Sequence, residues 1–366
     1  MVFAKFLGAA IGIASASLAF AADTAVSVQE RYQLEEAKTP VRDRAGWKQP
    51  KAVLLVGIPA QVAQEMQSQS PGVQFLRASS GAEAKALAPK ADAVVGTCSA
   101  EILGAGKSIR WVQVISAGVE DCVRVPAMRD RDVLLTNMQR ILGPVIAEHV
   151  IALTFGLTRG LNEFVSAQAE HQWRREPTAG RMSVIQGKTM LVVGLGGIGT
   201  EIARRADALG MKVIATRASG RSGPNFVSYV GLPDELHKLA AQADIVVNAT
   251  PLTPETTNLF DAAFFGKMKS TAHFINIGRG KSVDTDALVD ALSKGRIAGA
   301  GLDVTEPEPL PADHALWRLP NVIITPHVSS VSDMGLTARY EVAKENVRRY
   351  VNGERMLSVV DVSKGY

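Results

Sequence analysis

Several features that mark particular protein classes are missing from this sequence of 366 residues. Basic residues exceed acidic ones by only four charges, and there is no dense Lys/Arg run or basic stretch interleaved with aromatic residues. A nucleic-acid role therefore has no support from charge. The two cysteines, Cys98 and Cys122, form neither a metal-ligand spacing nor a disulfide framework. We expect two buried thiols and no metal site.

What is present describes a globular protein, with 46% apolar and 21% charged residues. The length suffices for two domains of ordinary size, each with its own core. No solenoid-type repeat occurs.

Residues 1–21 differ from the rest, because Lys5 precedes an uncharged apolar run and Ala19 and Ala21 are placed where signal peptidase reads small residues. The run is too short, and too rich in Ala, Gly and Ser, for a stable membrane span. No twin-arginine pair precedes it. We predict a cleaved signal and a periplasmic or secreted protein. An uncleaved anchor or a misassigned start is the alternative, with a cytoplasmic location if the segment is not processed. Residues 22–50 are predicted to form a polar linker or surface arm.

From Lys51 onward, short β-branched runs alternate with amphipathic segments. Strands are predicted at 52–56, 73–76, 93–95, 111–115 and 133–136, with helices at 61–67 and 82–87 between them. A long apolar segment, 145–161, follows Pro144 and predicts a buried helix joining two domains. Six further strands, at 190–193, 212–216, 245–248, 274–277, 299–302 and 322–325, surround a helix at 198–209 and precede another at 333–350. This rhythm predicts an α/β protein with two doubly wound, Rossmann-like parallel sheets.

A glycine-rich turn follows the strand at 190–193 and opens the helix at 198–209. It reads G-L-G-G-I-G, with Gly194, Gly196 and Gly199 at the G-x-G-x-x-G positions. The pattern favours a tight turn, close approach of a pyrophosphate, and helix N–H groups aimed at the phosphates. Glycine-rich turns also occur for purely structural reasons, but the strand and helix on either side favour dinucleotide binding.

The next strand bears on which dinucleotide binds, since an acidic residue about 20 positions on would contact a ribose 2′-hydroxyl. This strand ends instead in Ala215-Thr216-Arg217. Arg217 can pair with a 2′-phosphate, so the sequence favours NADP(H). A solvated Arg217 stacking on adenine is the alternative, and it leaves NAD(H) open.

Three reactive residues follow the carboxyl ends of later strands, which is the ligand edge of an open α/β sheet. Arg279 offers a planar fork for a carboxylate, His327 can donate a proton to a carbonyl oxygen, and Glu308 can hold the imidazole. Singly, each is more often a structural residue or a surface ion pair. Together at this edge, they predict reduction of a 2-oxo acid with hydride from the cofactor.

These motifs resemble the D-isomer-specific 2-hydroxyacid dehydrogenase family, closest to its glyoxylate/hydroxypyruvate reductases. The similarity covers about residues 51–366 and rests on the glycine turn together with four later segments. These are N-A-T-P-L-T-P-E-T (248–256), I-N-I-G-R-G-K-S-V-D (275–284), G-L-D-V-T-E-P-E-P-L-P (301–311) and T-P-H-V-S-S (325–330).

The resemblance implies residue roles and an architecture. Arg279 matches the substrate-binding arginine, His327 the acid/base, and Glu308, rather than Glu306, its partner. An active-site cleft between the domains is implied, with a discontinuous substrate domain (51–143 plus 330–366) and a dinucleotide-binding domain (144–329). A homodimer with 145–161 near the interface is also implied. The other implied contacts are a substrate loop (Ser116, Ala117, Gly118, Val119) and cofactor contacts (Gly194, Gly196, Gly197, Ile198, Gly199, Thr250, Pro251, Asp303).

The sequence leaves other functions open. Related reactions include phosphite oxidation and reduction of a bulkier 2-oxo acid, while a different class is a dinucleotide-sensing or scaffold protein with incidental turnover. Formate-oxidising relatives carry glutamine in place of the glutamate, so Glu308 favours hydroxyacid chemistry.

Overall fold

The computed structural model describes residues 26–175 and 182–364, which build two parallel sheets. The first sheet has five strands, all close to their predicted positions: β1 (Ala52–Val56), β2 (Gln74–Ala78), β3 (Ala93–Gly96), β4 (Trp111–Val114) and β5 (Leu134–Thr136). Their order is β2-β1-β3-β4-β5, a doubly wound arrangement. The helices of this half are α1 (Val28–Arg31), α2 (Ala60–Gln69), α3 (Gly81–Leu87), α4 (Ala100–Ala105), α5 (Glu120–Val123) and α6 (Pro126–Asp130).

The connecting helix α7 (Gly143–Thr158) has Pro144 in its first turn, as predicted. It ends earlier than the predicted Leu161, because Gly160 adopts a left-handed conformation (φ 62°) and starts a separate helix, α8 (Leu161–Ala169). Val150 and Leu153 of α7 are buried in a core cluster that contains residues of both sheets. None of the helices in the described ranges combines the length and the hydrophobicity that a membrane crossing requires.

The second sheet has seven strands, where the sequence predicted six. They are β6 (Thr189–Val193), β7 (Lys212–Thr216), β8 (Tyr229–Gly231), β9 (Ile245–Asn248), β10 (His273–Asn276), β11 (Gly299–Leu302) and β12 (Val322–Ile324). The missed strand, β8, has three residues, too few to show a period-2 pattern. The order β12-β11-β10-β9-β6-β7-β8 places a switch point between β6 and β9. The helices between these strands are α9 (Gly197–Ala208), α10 (Leu236–Ala240), α11 (Ala262–Phe265) and α12 (Thr285–Ser293).

The last helix, α13 (Gly335–Asn352), returns to the first sheet. Its Tyr350 ring stacks on Trp111 of β4 with centroids 4.6 Å apart. Beyond the helix, the Val360 N–H donates to the Leu135 carbonyl of β5. The predicted division into a discontinuous substrate domain (51–143 plus 330–366) and a dinucleotide-binding domain (144–329) stays a prediction.

Residues 26–50 form a surface arm that is anchored to the carboxyl-terminal segment. Glu36 forms an antiparallel bridge with Leu357, and its carboxylate lies 2.6 Å from Nη1 of Arg349. The Val41 N–H donates to the Glu354 carbonyl. The described part of the predicted arm is therefore packed rather than free, and the predicted signal over 1–21 lies outside the described residues.

The expectation of two buried thiols is wrong, because Cys98 and Cys122 form a disulfide. Cys98 follows β3 and Cys122 lies in α5, which follows β4, the neighbouring strand. The carboxyl ends of adjacent parallel strands meet at one edge, so residues 24 positions apart come within 5.5 Å between Cα atoms. The disulfide thus joins the loops that follow β3 and β4.

Candidate active site

The glycine turn after β6 has a geometry that two of its glycines make possible. Gly194 has a φ of 96°, and a Cβ built there would lie 2.8 Å from the Ala249 carbonyl oxygen. A Cβ at Gly199 would lie 2.1 Å from the Gly194 carbonyl oxygen, so only glycine allows α9 to pack this closely. The motif therefore has the tight turn and the helix–strand packing that the sequence predicted.

The amino terminus of α9 is free to receive an anion. The helix begins at Gly197, its N-cap is Gly196, and no side chain of residues 26–175 or 182–364 caps its first N–H groups. A Cβ at Gly196 would meet nothing within 4 Å, so open space lies in front of the turn. Gly196, Gly197 and Ile198 would hold the pyrophosphate of a dinucleotide, and the arrangement fits that group.

Asn248, at the end of β9, shapes the loop that contains Thr250 and Pro251. Its Nδ2 donates to Asn276 Oδ1 at 2.9 Å and to Ser282 Oγ at 2.7 Å. Its Oδ1 accepts from the backbone N–H and the hydroxyl of Thr250. This fully buried amide was not among the predicted site residues, although it precedes the A-T-P motif directly. It fixes the loop opposite Gly194.

Arg217 lies just beyond β7, where NAD-binding relatives were expected to carry an acid. Its Nη1 donates to the Ser222 carbonyl at 3.1 Å, and among the described residues no carboxylate pairs with it. The neighbouring Arg221 instead forms an ion pair with Glu235 at 2.6 Å. Arg217 is therefore the cation of this loop that remains available to a ligand.

His327 and Glu308 form a hydrogen-bonded pair, as the sequence predicted. The Nδ1 atom of His327 lies 2.7 Å from Glu308 Oε1, and about half of each side chain is exposed (47% and 40%). Because Nδ1 is engaged by the carboxylate, Nε2 is the ring nitrogen that can face a substrate. The backbone of His327 is left-handed, with a φ of 54°, which is uncommon for a residue other than glycine.

Asp303 holds the loop that carries His327. Its buried carboxylate accepts from the Thr325 hydroxyl at 2.7 Å and from the Val328 and Ser329 N–H groups at 2.9 and 3.0 Å. Its backbone carbonyl accepts from the His327 N–H. Burial raises the pKa of Asp303, but these hydrogen bonds outweigh burial and leave the pKa below its ordinary value. The implied contact of Asp303 with the cofactor stays a prediction.

His149 of α7 joins this network and was missed at the sequence level. Its Nε2 lies 2.9 Å from the Thr325 hydroxyl and 3.7 Å from Asp303 Oδ1. The sequence does offer a signal for His149, because it is the single histidine in the apolar segment 145–161. Through His149, the connecting helix contacts the residues that position His327.

Arg279 follows β10 and reaches across to the first half of the protein. Its Nη1 donates to the Gly278 carbonyl at 2.7 Å, while Nε and Nη2 lie 3.1 and 3.2 Å from the two carboxylate oxygens of Glu120 in α5. The predicted carboxylate-binding residue therefore meets a carboxylate of this same chain. Sequence reasoning did not single out Glu120.

The predicted substrate loop, 116–119, lies beside Arg279 and presents unpaired N–H groups. The carbonyl oxygens of its first three residues accept hydrogen bonds, in order from the Met138 N–H at 3.0 Å, the Asn137 side chain at 2.7 Å and the Ser116 hydroxyl at 2.8 Å. Within the described part of the chain, nothing accepts from the N–H groups of Ala117, Gly118 and Val119. Such a loop is suited to a carboxylate.

The site thus has two centres, one at Arg279 with the loop and one at His327 with Glu308. Arg279, Glu308 and His327 follow the consecutive strands β10, β11 and β12 of the second sheet, and the loop follows β4 of the first. Residues 151–329 match the family model of the NAD-binding domain of D-isomer-specific 2-hydroxyacid dehydrogenases. A glyoxylate reductase of Thermofilum pendens is 33% identical over 264 residues, 72% of this chain and 78% of that protein. The glyoxylate reductase/hydroxypyruvate reductase of Homo sapiens is 34% identical over 259 residues, 69% of this chain and 77% of that protein.

A solved structure is similar over both halves. The D-isomer-specific 2-hydroxyacid dehydrogenase of Xanthobacter autotrophicus, determined in complex with NADPH and MES, is 28% identical and superposes with a TM-score of 0.73. The match covers 87% of this chain and 100% of that one. The two-sheet architecture is thus shared with a solved member of this family.

Proposed function

Since this chain belongs to the D-isomer-specific 2-hydroxyacid dehydrogenase family, we propose that it reduces a small 2-oxo acid of the glyoxylate or hydroxypyruvate kind to the D-2-hydroxy acid. It is an NAD(P)-dependent oxidoreductase of that family. The observation that carries the substrate class is the pairing of two centres: a cation with free N–H groups for a carboxylate, and an imidazole held by a carboxylate for the adjacent carbonyl.

Each centre has a defined task in this reaction. Arg279 and the N–H groups of loop 116–119 bind and orient the substrate carboxylate. His327 donates a proton from Nε2 to the carbonyl oxygen as negative charge develops there, and Glu308 keeps the ring oriented. When bound, the nicotinamide cofactor supplies the hydride.

The proposed cofactor is NADP(H), with NAD(H) as the alternative. Arg217 has no carboxylate partner among the described residues. It follows β7, at the position from which a side chain contacts the ribose 2′-hydroxyl or 2′-phosphate of a dinucleotide. The Xanthobacter autotrophicus relative was solved with NADPH. Arg217→Gln should raise the KM for NADPH about tenfold, the loss of one charge-assisted contact. Arg221→Gln is the matched control, because Glu235 already pairs with that arginine. An unchanged KM in Arg217→Gln would contradict this role.

The test of the reaction is an absorbance assay of the full chain with NADPH or NADH and with glyoxylate or hydroxypyruvate. Turnover of either acid supports the reductase. In His327→Asn, turnover should fall by at least about a hundredfold, since the proton donor is gone, while NADPH binding stays. Cofactor binding without turnover in the wild type, for both acids, would contradict the proposed reaction and favour a dinucleotide-sensing protein.

A homodimer is proposed through the surface around α7 and α8. Val165 and Trp173 are large apolar residues whose exposed fractions are 65% and 99%, and Leu161 and Val184 are also exposed. Leu161 and Val165 lie one turn apart on α8, and exposed apolar residues on one helix face are typical of association surfaces. Light scattering should give the mass of a dimer, and Val165→Glu should shift it toward the monomer. A monomeric wild type would contradict the proposal.

Export to the periplasm or the medium is proposed for the location. The disulfide between Cys98 and Cys122 supports it, because disulfides persist in oxidising compartments. Mass spectrometry of the native protein should find the chain starting near residue 22. An intact Met1 in the cytoplasmic fraction would overturn export and favour the cytoplasmic alternative.

A further inference from the structure

The ion pair between Arg279 and Glu120 has the form of a bound carboxylate. Both carboxylate oxygens of Glu120 face the guanidinium, at 3.1 Å from Nε and 3.2 Å from Nη2. This two-point geometry is the one that arginine offers to a substrate carboxylate. The pair is partly shielded from water, with side-chain exposures of 30% for Arg279 and 18% for Glu120.

The pair also lies directly against the substrate loop. A Cβ built on Gly118 would be 1.9 Å from Arg279 Nη2 and 2.8 Å from Glu120 Oε2. Gly118 is one of the loop residues whose N–H groups have no acceptor among the described residues. The Glu120 carboxylate therefore stands beside both of the groups that we assign to the substrate, the guanidinium and the loop.

From this placement, and resting on the function proposed above, we propose that Glu120 is a specificity-determining residue that occupies Arg279 until a substrate carboxylate replaces it. Glu120 occupies the Nε and Nη2 edge of the guanidinium, and Nη1 donates to the Gly278 carbonyl. A 2-oxo acid can therefore bind Arg279 in the same two-point geometry only after Glu120 turns away. The apparent affinity for an anion then equals the intrinsic affinity multiplied by the fraction of molecules in which Arg279 is not held by Glu120.

The charge of Glu120 also affects whether the substrate can carry a second carboxylate. After exchange, Glu120 stays close to the site, because α5 is tied through Cys122 to Cys98. A second carboxylate on the substrate is then disfavoured by like-charge repulsion in a partly shielded cleft. Glu120 should therefore select monocarboxylic 2-oxo acids over dicarboxylic ones.

The test uses Glu120→Gln in the full chain, with Glu101→Gln as the matched control. Glu101 lies in the same half and pairs with Lys85 on the surface, at 3.4 Å. Glu120→Gln should lower the KM for hydroxypyruvate about three- to tenfold, with a smaller change in kcat. The KM for oxaloacetate, a dicarboxylic 2-oxo acid, should fall further. The control should leave both KM values at the wild-type level. An unchanged KM in Glu120→Gln would overturn the proposal, since it would show that Glu120 does not compete with the substrate. A raised KM would also overturn it, since it would make Glu120 a residue that orients Arg279 for the substrate.

A binding measurement separates this proposal from the reaction itself. Calorimetric titration of the NADPH-loaded protein with oxalate needs no turnover, and Glu120→Gln should bind oxalate about three- to tenfold more tightly than the wild type. Tighter oxalate binding without turnover of any 2-oxo acid would leave the exchange at Arg279 standing and contradict the proposed reaction. Equal or weaker oxalate binding, with normal turnover in the wild type, would contradict the exchange alone.

Discussion

Among single residues, Asp303 bears most directly on the geometry of the site. It has almost no exposed surface, yet it carries a carboxylate that accepts three hydrogen bonds from the loop around His327. Burying an ion is costly, so these hydrogen bonds must offset the desolvation of the carboxylate. The pKa of Asp303 is lowered because the hydrogen bonds favour the charged form more than burial disfavours it. Its contribution to stability is present above the unfolded pKa of about 3.9 and is lost as the pH falls through the folded value.

Asp303→Asn should therefore displace His327, although the side-chain hydrogen bonds of Asp303 go to Thr325, Val328 and Ser329. An amide cannot accept from all three donors and places its own N–H groups against one of them, which costs about 1.5–3 kcal/mol. We expect a lower melting temperature and a fall in kcat for hydroxypyruvate. Circular dichroism and steady-state kinetics at pH 7 would measure both. Asp290→Asn, on the surface of α12, is the control, and equal behaviour of the two variants would contradict the role given to Asp303.

At the scale of elements, the loops after β3 and β4 act as one unit. The disulfide from Cys98 to Cys122 ties them, and the side chain of Asn137, which follows β5, donates a hydrogen bond to the Ala117 carbonyl of the second loop. Two contacts that do not involve Arg279 thus hold the segment that presents N–H groups to a carboxylate. Preorganisation of this kind lowers the ordering cost of binding.

Replacement of both cysteines by serine should loosen that unit. A cross-link that closes a segment of 24 residues constrains the unfolded chain by about 3 kcal/mol in the loop-entropy treatment. The double variant should melt at a lower temperature and show a raised KM for the 2-oxo acid. Wild-type protein incubated with dithiothreitol should behave like the variant. If it keeps the KM of the untreated protein after thiol titration finds two free thiols, the disulfide has no part in binding.

Elements with a clear pattern could be predicted from the sequence, and contacts between distant elements could not. The strands 52–56 and 212–216 and the turn at Gly194 were found because β-branched runs and glycine spacing are local signals. The pairing of Cys98 with Cys122 depends on strand order. That of Glu120 with Arg279 depends on how the two sheets face each other. Neither leaves a local pattern. The positions of Arg279, Glu308 and His327 were predictable because each follows a strand at the ligand edge, while their roles stay a prediction.

At the scale of the whole molecule, stability depends on acidity through a residue remote from the site. Burial, followed by the nearby charge of Lys188, lowers the pKa of His273 in β10 to about 4. The unfolded histidine titrates near pH 6.5, so between about pH 4 and pH 6.5 the unfolded state binds more protons than the folded state. The folded state therefore loses stability as the pH falls through this range. The stabilisation is complete above about pH 6.5 and declines down to about pH 4.

Urea unfolding at pH 7 and pH 5 would measure this dependence. The wild type should lose about 2 kcal/mol of unfolding free energy from this residue over that range. His273→Leu keeps a similar volume without a titrating group, so it should lack that part of the loss. His237→Asn, at an exposed histidine of α10, should retain it. Equal pH dependence of the wild type and His273→Leu would show that His273 is not the group involved.

The arm offers a second measurement of global stability. Arg349 is mostly buried, with 11% of its side chain exposed, and Glu36 of the arm supplies one of its carboxylate partners, with Glu345 as the other. Glu36→Gln should lower the free energy of unfolding by about 1–3 kcal/mol, because a hydrogen bond between charged groups is lost. Glu101→Gln, in an exposed pair, should cost less than about 1 kcal/mol. The same cost in both variants would contradict the anchoring role of the arm.

The return of α13 to the first sheet has a consequence for synthesis on the ribosome. The strands of that sheet, from Ala52 to Thr136, emerge early, but Trp111 receives its partner Tyr350 only after the whole second sheet has been translated. Every segment of the second sheet lies between these two points, so the later-made half can complete its strands while the earlier-made half still waits for its last helix. The half that is translated first is thus the half that can complete its folding last.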